Sequence, residues 1–129
     1  MTLHQALFSL GRPLVVVVTG GRDYADQARV AWALDGLVTH YGISILHAGD
    51  AKGADTLALR WADAHGVPKK KHEADWDTHG RAAGPIRNRA MLREATPDLV
   101  VAFPGGSGTK DCVSAAKGFG FRVWSISPE

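Results

Sequence analysis

Five short hydrophobic segments alternate with amphipathic segments along the chain. The hydrophobic segments cover residues 14–19, 43–48, 98–103 and 121–126, with a weaker one over 67–74 that three lysines interrupt. The amphipathic segments cover about 26–41, 54–65, 85–95 and 109–119. The first hydrophobic segment contains four consecutive valines without polar alternation, which is typical of a strand buried on both faces of a parallel sheet. In the segment that follows, Val30, Leu34 and Leu37 recur with helical spacing. Asp26 can cap the start of this helix, and Gly42 can end it.

The alternation of strands and helices predicts parallel βαβ units with right-handed crossovers. We expect an α/β, three-layer Rossmann-like domain with a five-stranded parallel sheet in the order 3-2-1-4-5. Residues 1–129 are expected to form one such domain, with 1–12 as an N-terminal extension. Lysines at 69–71 place the third strand at a sheet edge, and 73–84 is expected to be a loop. The expected core contains Val16, Val18, Leu34, Leu57, Trp61, Val100, Ala102 and Val113.

Composition excludes several classes of protein. The 129 residues are 45% hydrophobic and 22% charged, as in globular domains and unlike disordered chains. Basic and acidic residues are nearly balanced, with a net charge of +2, which does not by itself indicate nucleic-acid binding. The longest uncharged apolar run is too short to span a membrane. The single cysteine, Cys112, excludes an intramolecular disulfide. Because residues 1–12 lack a secretion signal, the expected location is the cytoplasm.

Metal and cofactor sites are not expected. One cysteine cannot form a multi-cysteine zinc site, and the six histidines (4, 40, 47, 65, 72 and 79) show no metal-ligand spacing such as His-x-x-x-His. Neither a Walker loop nor the dinucleotide fingerprint Gly-x-Gly-x-x-Gly is present, which argues against an NTPase and a nicotinamide-dependent dehydrogenase. The histidines are therefore expected to have structural or surface roles.

Three glycine-rich turns follow the first, second and fourth predicted strands. Because the carboxyl ends of parallel strands meet at one edge of the sheet, these turns are expected to line one pocket. Glycines there allow close backbone approach, helix N-termini attract anions, and hydroxyl and cationic side chains bind phosphate. The predicted ligand-binding residues are Gly20, Gly21, Arg22, Gly49, Asp50, Lys52, Gly53, Asp55, Trp76, Arg87, Asn88, Gly105, Gly106, Ser107, Gly108 and Thr109. The alternative is that each glycine only serves a tight turn.

Four segments of the chain, taken together, resemble a known superfamily. They are 17–22 (Val-Val-Thr-Gly-Gly-Arg), 47–55 (His-Ala-Gly-Asp-Ala-Lys-Gly-Ala-Asp), 74–76 with 84–89, and 103–109 (Phe-Pro-Gly-Gly-Ser-Gly-Thr). In this order they resemble the SLOG superfamily, in particular the group related to the bacterial proteins YpsA and YspA. The resemblance implies a Rossmann-like domain that binds a nucleotide or nucleotide-derived ligand, as a sensor, a carrier or an enzyme.

One enzymatic branch of the superfamily, the lonely-guy phosphoribohydrolases, implies an alternative function as a nucleotide N-glycoside hydrolase. Their loop reads Pro-Gly-Gly-x-Gly-Thr-x-x-Glu, and an arginine comes from the preceding helix. Arg89 matches this arginine, whereas the glutamate position is occupied here by Cys112, with Asp111 one residue earlier. One residue rotates a helical side chain by about 100°. Arg89 and Asp111 are therefore the candidate catalytic residues, with Asp111 as the carboxylate nearest to the glutamate position.

A second branch, the DNA-processing protein A group, has a similar Gly-x-Ala-x-Gly-x-Asp loop and implies single-stranded DNA binding as a third function. The lysines 69–71 could contact phosphates, although such lysines more often protect a sheet edge. A homodimer or larger assembly is expected from the apolar residues Trp32, Leu7 and Phe8, taken as surface residues.

Two further site residues leave alternatives open. Trp76, between two aspartates, could stack on a base or cover the core. Arg87 and Asn88 could reach the phosphate or support the loop 75–77. Trp61 and Trp124 are expected in the core, and so is Cys112, although its place in the turn after the phosphate loop could lower its pKa.

Overall fold

The computed structural model describes residues 1–128, and its five strands form one all-parallel sheet in the order β3-β2-β1-β4-β5. The strands are β1 (Leu14–Thr19), β2 (Ile43–Gly49), β3 (Lys69–His72), β4 (Leu99–Ala102) and β5 (Val123–Ser125). The predicted fold class, an α/β Rossmann-like domain with strand order 3-2-1-4-5, is thus confirmed.

Helices cover both faces of the sheet. They are α1 (Leu3–Phe8), α2 (Gln27–His40), α3 (Ala54–Ala64), α4 (Trp76–His79), α5 (Ala83–Ala95) and α6 (Ser107–Gly118), with a 3₁₀ turn at Gly80–Ala82. Residues of α1, α2 and α3 pack with Val16 and Val18 on one face, and residues of α5 and α6 pack with Val17 on the other. All three valines are fully buried, as the unbroken apolar run predicts.

Six of the eight predicted core residues are buried, and two are not. Leu57 and Val113 are only partly buried. On α6 the inward positions belong to Cys112 and Ala116, one turn apart, so Val113 is rotated away from the sheet. On α3 the inward positions are taken by Ala54, Ala58 and Trp61 together with their neighbours, which leaves Leu57 at the margin.

The predicted loop 73–84 contains helical structure. Residues 76–79 form α4, and α5 begins at Ala83, so Pro85 is its third residue rather than its first. The cause is a local cap, because the Asp75 carboxylate accepts a hydrogen bond from the Thr78 N–H at 3.1 Å. The Thr78 bonds also hold the pKa of Asp75 below its usual value.

The N-terminal segment packs against the rest of the chain. Helix α1 begins with a capping box, in which Thr2 and Gln5 bond each other's backbone N–H. Leu7 is 2% exposed and belongs to the core cluster under α2 and α3, so its expected place on the surface was wrong. Phe8 is 68% exposed.

One buried carboxylate ties together the starts of the two central strands. Both terminal nitrogens of Arg12 and the Val15 N–H donate to Asp98, at 2.7–2.8 Å. Burial acts to raise the pKa of Asp98, but these hydrogen bonds outweigh it and hold the pKa below its usual value. These contacts therefore help to hold β1 and β4 in register, and the turns that follow the two strands lie at the same edge of the sheet. No helix within residues 1–128 has the length and apolar character that crossing a bilayer requires.

Candidate functional site

The turns after β1, β2 and β4 enclose a cavity of about 1360 Å³ at the carboxyl edge of the sheet. All of the predicted ligand-binding residues except Gly53 line it: Gly20, Gly21, Arg22, Gly49, Asp50, Lys52, Asp55, Trp76, Arg87, Asn88, Gly105, Gly106, Ser107, Gly108 and Thr109. Gly53 lies behind this surface, at the N-cap of α3. The strand topology therefore brings the three predicted turns together, as parallel strands require.

Several of the glycines are needed because the turns pack on one another. A Cβ on Gly20 would lie 2.5 Å from the Ala54 side chain, and a Cβ on Gly21 would lie 2.9 Å from the Pro104 carbonyl oxygen. The Gly21 N–H donates to that same oxygen at 2.9 Å. Gly105 likewise has the Gly21 nitrogen 2.6 Å from its Cβ position. For these residues the tight-turn explanation is sufficient.

Gly106 and Gly108 have no such packing reason. A Cβ on either one would meet no atom within 4 Å, and both residues are exposed. Gly106 is the N-cap of α6 and supplies no side-chain cap, so the first-turn N–H groups of this helix face the cavity. A bare backbone at a helix N-terminus is suited to an anion. For these two glycines the tight-turn explanation is therefore not sufficient.

Hydroxyl and cationic side chains surround the same helix start. Ser107 and Thr109 line the cavity, with the Thr109 hydroxyl lying over Gly105. Arg22 and Lys52 also line the cavity and are exposed, and within residues 1–128 neither forms an ion pair. The cavity thus offers both hydrogen-bond donors and uncompensated positive charge.

Arg87 lines the cavity and also forms an ion pair with Asp50. Its Nη1 donates to Asp50 Oδ1 at 2.8 Å and to the His72 carbonyl oxygen at 3.3 Å. Asp50 also accepts from the Ala74 N–H at 3.2 Å. A Cβ on Gly49 would lie 2.5 Å from the same guanidinium nitrogen. Arg87 therefore braces the ends of β2 and β3, and its side chain is only 12% exposed.

The candidate catalytic pair is assembled beside the first turn of α6, where Asn88 also donates to the Gly108 carbonyl oxygen at 3.3 Å. Arg89 Nη1 and the Asn88 side-chain amide both donate to Asp111 Oδ2, each at 3.1 Å. Asp111 lines the cavity, whereas Cys112 is fully buried and Arg89 lies behind Asp111. The one-residue shift therefore leaves a carboxylate facing the cavity. Burial raises the pKa of the Cys112 thiol to about 11, so the suggestion of a lowered pKa was wrong.

Asp55 is a buried acid at the base of the cavity. It is 5% exposed, and its Oδ2 accepts from the Ala51 N–H at 3.2 Å. Burial raises the pKa of Asp55 to about 6, although Arg87 and the Ala51 N–H act in the opposite direction. The Asp55 carboxylate therefore lowers the stability of the folded protein whenever it is ionised.

Asp55→Asn is expected to remove a pH dependence of stability. Because the folded-state pKa of about 6 exceeds the ordinary value near 3.8, the parent loses stability as pH rises between these values, by up to about 3 kcal/mol. Asparagine does not ionise, and its amide oxygen can still accept from Ala51. Urea unfolding of both proteins across this range should therefore show that the free energy of unfolding of the variant increases relative to that of the parent as pH rises. A difference in unfolding free energy that does not vary with pH would contradict the expectation.

Sequence reasoning missed several lining residues. Tyr24 packs on Phe103, with ring centroids 5.5 Å apart, and closes one side of the cavity. Arg81, in the 3₁₀ turn, adds a cation beside Trp76, which is 48% exposed at the cavity edge. The further lining residues are Val18, Thr19, Asp23, Ala51, Gly84, Pro85, Met91 and Pro104. Only the Asp75 cap could have indicated that 76–82 is ordered here.

The lysines of β3 do not form an uncompensated basic patch. Lys69 lies 3.3 Å from Asp63, Lys70 lies 2.5 Å from Glu94, and Lys71 lies 3.6 Å from Glu73. Strand β3 is at the sheet edge, as predicted. The neutralised charge favours the edge-protecting role of these lysines over nucleic-acid binding.

The surface aromatic residues are partly accounted for within the chain. Trp32 is 54% exposed, but its ring lies 5.8 Å from that of Trp124 and 4.4 Å from the Arg29 guanidinium carbon. Trp124 is partly buried and Trp61 is buried. With Leu7 also buried, Phe8 and the outer face of Trp32 are what support the expected homo-oligomer.

Comparisons with known proteins show the family to which the chain is related. A family model described as YAcAr, the YspA, cpYpsA-related SLOG family, matches residues 14–79. The Gene 61 protein of Mycobacterium phage D29 is 38% identical over 117 residues, which covers 84% of this chain and 92% of that protein. A search of solved structures gives no significant match. The matched range contains the turns after β1 and β2, and the loop 103–109 lies beyond it.

Proposed function

The chain belongs to the YspA, cpYpsA-related SLOG family, and we propose that its glycine-rich cavity binds a nucleotide or a nucleotide-derived phosphorylated ligand, as a sensor or carrier. The observation that carries the proposal is the start of α6, where Gly106 and Gly108 leave the backbone bare although packing does not require glycine at either position. A phosphate group is the ligand chemistry that such a helix start favours.

The rest of the cavity divides into parts that suit the rest of a nucleotide. Ser107 and Thr109 donate hydroxyl hydrogen bonds to phosphate oxygens, and Arg22 and Lys52 neutralise phosphate charge. Trp76, half exposed at the edge, stacks on the base. The volume of about 1360 Å³ exceeds that of an ordinary small-molecule site, so it admits a mononucleotide as well as a larger derivative such as ADP-ribose.

Calorimetric titration with a panel of nucleotides tests the proposal. The panel contains AMP, ATP, NAD and ADP-ribose, with adenosine as the matched ligand that lacks phosphate. We expect at least one phosphorylated member to bind, and adenosine to bind at least about tenfold more weakly because it makes no charge-assisted hydrogen bond at α6. If no member binds, or if adenosine binds as tightly as the phosphorylated ligands, the proposal fails.

A second candidate function, nucleotide N-glycoside hydrolysis, is favoured by one specific observation. Asp111 faces the cavity and is held there by Arg89 and Asn88. In this reaction the Asp111 carboxylate would stabilise the positive charge that develops on the ribose as its bond to the base breaks, or would activate the attacking water. The hydrogen bonds from Arg89 hold the Asp111 carboxylate in this orientation. Cys112, which occupies the glutamate position of the lonely-guy motif, is buried and takes no part.

Release of free base distinguishes the two functions. Chromatography of each panel nucleotide after incubation with the protein measures base release, and a sensor or carrier releases none. If base is released, Asp111→Asn is expected to abolish the release while retaining binding, and Cys112→Ala serves as the neighbouring control that leaves the rate unchanged. Release that survives Asp111→Asn would exclude this hydrolytic mechanism.

A further inference from the structure

A polar cluster lies on the face of the sheet that α5 covers, outside the glycine-rich cavity. His47 is in β2, His72 ends β3, and Glu94 is on α5. His47 Nδ1 and His72 Nε2 are 2.8 Å apart, and His72 Nε2 is 3.9 Å from Glu94 Oε2. One ligand atom from each of the three residues lies within 4.8 Å of the other two. Twenty-five residues separate the histidines, so their juxtaposition comes from strand pairing.

A histidine is unexpected at this position of the sheet. His47 is 5% exposed and pairs in register with Val17 of β1, which belongs to the hydrophobic cluster under α5 and α6. A second valine on β2 would extend that cluster. Burying an imidazole instead costs free energy unless the ring nitrogens are satisfied. The cluster therefore calls for a reason beyond packing.

We propose that His47, His72 and Glu94 bind one divalent transition-metal ion of the zinc class. Two imidazole nitrogens and one carboxylate form a recognised zinc ligand set, which leaves the fourth tetrahedral position for water. With Zn–N distances of 2.0–2.1 Å, two tetrahedral nitrogens lie roughly 3.3 Å apart, so the rings need to separate by only about 0.5 Å. The site and its test are independent of the proposed nucleotide function.

The environment matches what such an ion requires. Burial lowers the pKa of both His47 and His72, although Glu94 acts in the opposite direction. Glu94 has a half-exposed side chain, which provides a path for the ion from solvent. Calcium and magnesium prefer oxygen ligands, so two imidazoles select against them.

Lys70 competes with the ion for the same carboxylate. Its ammonium lies 2.5 Å from Glu94 Oε2 and is half exposed, so it can move into solvent when a metal replaces it. The hydrogen bond from Lys70 occupies the carboxylate oxygen that the metal would use. Removing this lysine should therefore strengthen metal binding, a change in the opposite direction from loss of a ligand.

A bound ion would fasten one edge strand of the sheet to its neighbours. Strand β3 has four residues and pairs with β2 alone. The three ligands belong to β2, β3 and α5, so one ion would cross-link the edge strand to its neighbour and to the helix above. Metal binding to the folded protein alone also raises its melting temperature.

Titration of tag-free protein with Co²⁺ and Zn²⁺ tests the proposal, with affinity from calorimetry and geometry from the visible d–d bands of Co²⁺. We expect one ion per chain, tetrahedral Co²⁺ bands and a higher melting temperature. Glu94→Gln should weaken binding at least about tenfold, and Lys70→Met should strengthen it. His72→Asn should abolish binding. If this variant does not fold, the Glu94→Gln variant still tests the proposal, because Glu94 is half exposed and its substitution should not disturb the fold.

The neighbouring pair Lys71 and Glu73 provides matched controls. These side chains lie 3.6 Å apart outside the cluster, so Glu73→Gln and Lys71→Met should bind the metal as the parent does. Affinity weaker than about 100 μM would overturn the proposal. So would equal binding by the Glu94→Gln and Glu73→Gln variants, since the ion would then be held by surface histidines elsewhere.

Discussion

Gly106→Val is expected to abolish nucleotide binding, with a loss of at least about hundredfold in affinity, and to leave the fold intact. The branched side chain would occupy the space in front of the first turn of α6, where the phosphate is proposed to lie. Losing two charge-assisted hydrogen bonds there costs roughly 3 kcal/mol, which corresponds to this factor. Because a Cβ at Gly106 meets no atom within 4 Å, the protein itself has room for the side chain.

A matched control lies at the other end of the same helix. Gly118 ends α6, and a Cβ there also meets no atom within 4 Å. Gly118→Val should therefore bind the nucleotide as tightly as the parent does. Calorimetry measures binding, and thermal unfolding should show that Gly106→Val lowers stability by less than about 1 kcal/mol, since valine is a poorer N-cap than glycine. A folded Gly106→Val protein with parental affinity would place the phosphate elsewhere.

The sheet could be predicted from the sequence because its determinants are local. The valine run of β1 has no polar alternation, which only a strand buried on both faces accommodates. Asp26 caps α2 by accepting from the Arg29 N–H at 2.9 Å, and Gly42 follows the helix with φ of +83°. Once strands and helices alternate, the rules of βαβ connection leave few possible strand orders.

The partners of the charged site residues could not be predicted in the same way. Arg87 and Asp50 are 37 positions apart in sequence, and their ion pair depends on how closely α5 approaches the end of β2. The orientation of the Asp111 side chain could not be predicted either, because it is fixed by Arg89 and Asn88 on a different helix. Counting residues from a motif gives the position of a residue on its helix. It does not show where a long side chain ends, because such a side chain can compensate for the rotation that one residue introduces.

The two kinds of glycine in the site also differ only in three dimensions. The sequence shows glycine at 105 and 106 alike, and predicts that both lie near the ligand. In the structure, Gly105 is required by the Gly21 nitrogen 2.6 Å from its Cβ position, whereas Gly106 faces open space. The distinction depends on packing between turns that are more than 80 residues apart, and it identifies which position can be substituted without disturbing the fold.

Gly53→Ala is expected to have the largest effect on stability. Gly53 has φ of +79° and ψ of −127°, a conformation that residues with a Cβ rarely adopt. Its Cβ would also lie 2.6 Å from the Arg22 carbonyl oxygen and would overlap that of Gly21. Both are backbone atoms, which cannot rotate away, so the turn after β1 would have to move. We expect a loss of roughly 3 kcal/mol or more, seen as a fall of about 10 °C in melting temperature.

Gly66→Ala separates the two causes of this loss. Gly66 follows α3 with φ of +66°, but a Cβ there meets no atom within 4 Å, so alanine suffers the unfavourable conformation without the collision. Its loss should be about 1 kcal/mol. Thermal unfolding of the ligand-free variants measures both losses, and equal values would contradict the packing argument. Because the Ala54 N–H beside Gly53 donates to Gly21 at 3.1 Å, moving this turn also displaces Gly21 and Arg22. Gly53 thus supports the cavity from behind, which explains why it fits the glycine-rich pattern without lining the cavity.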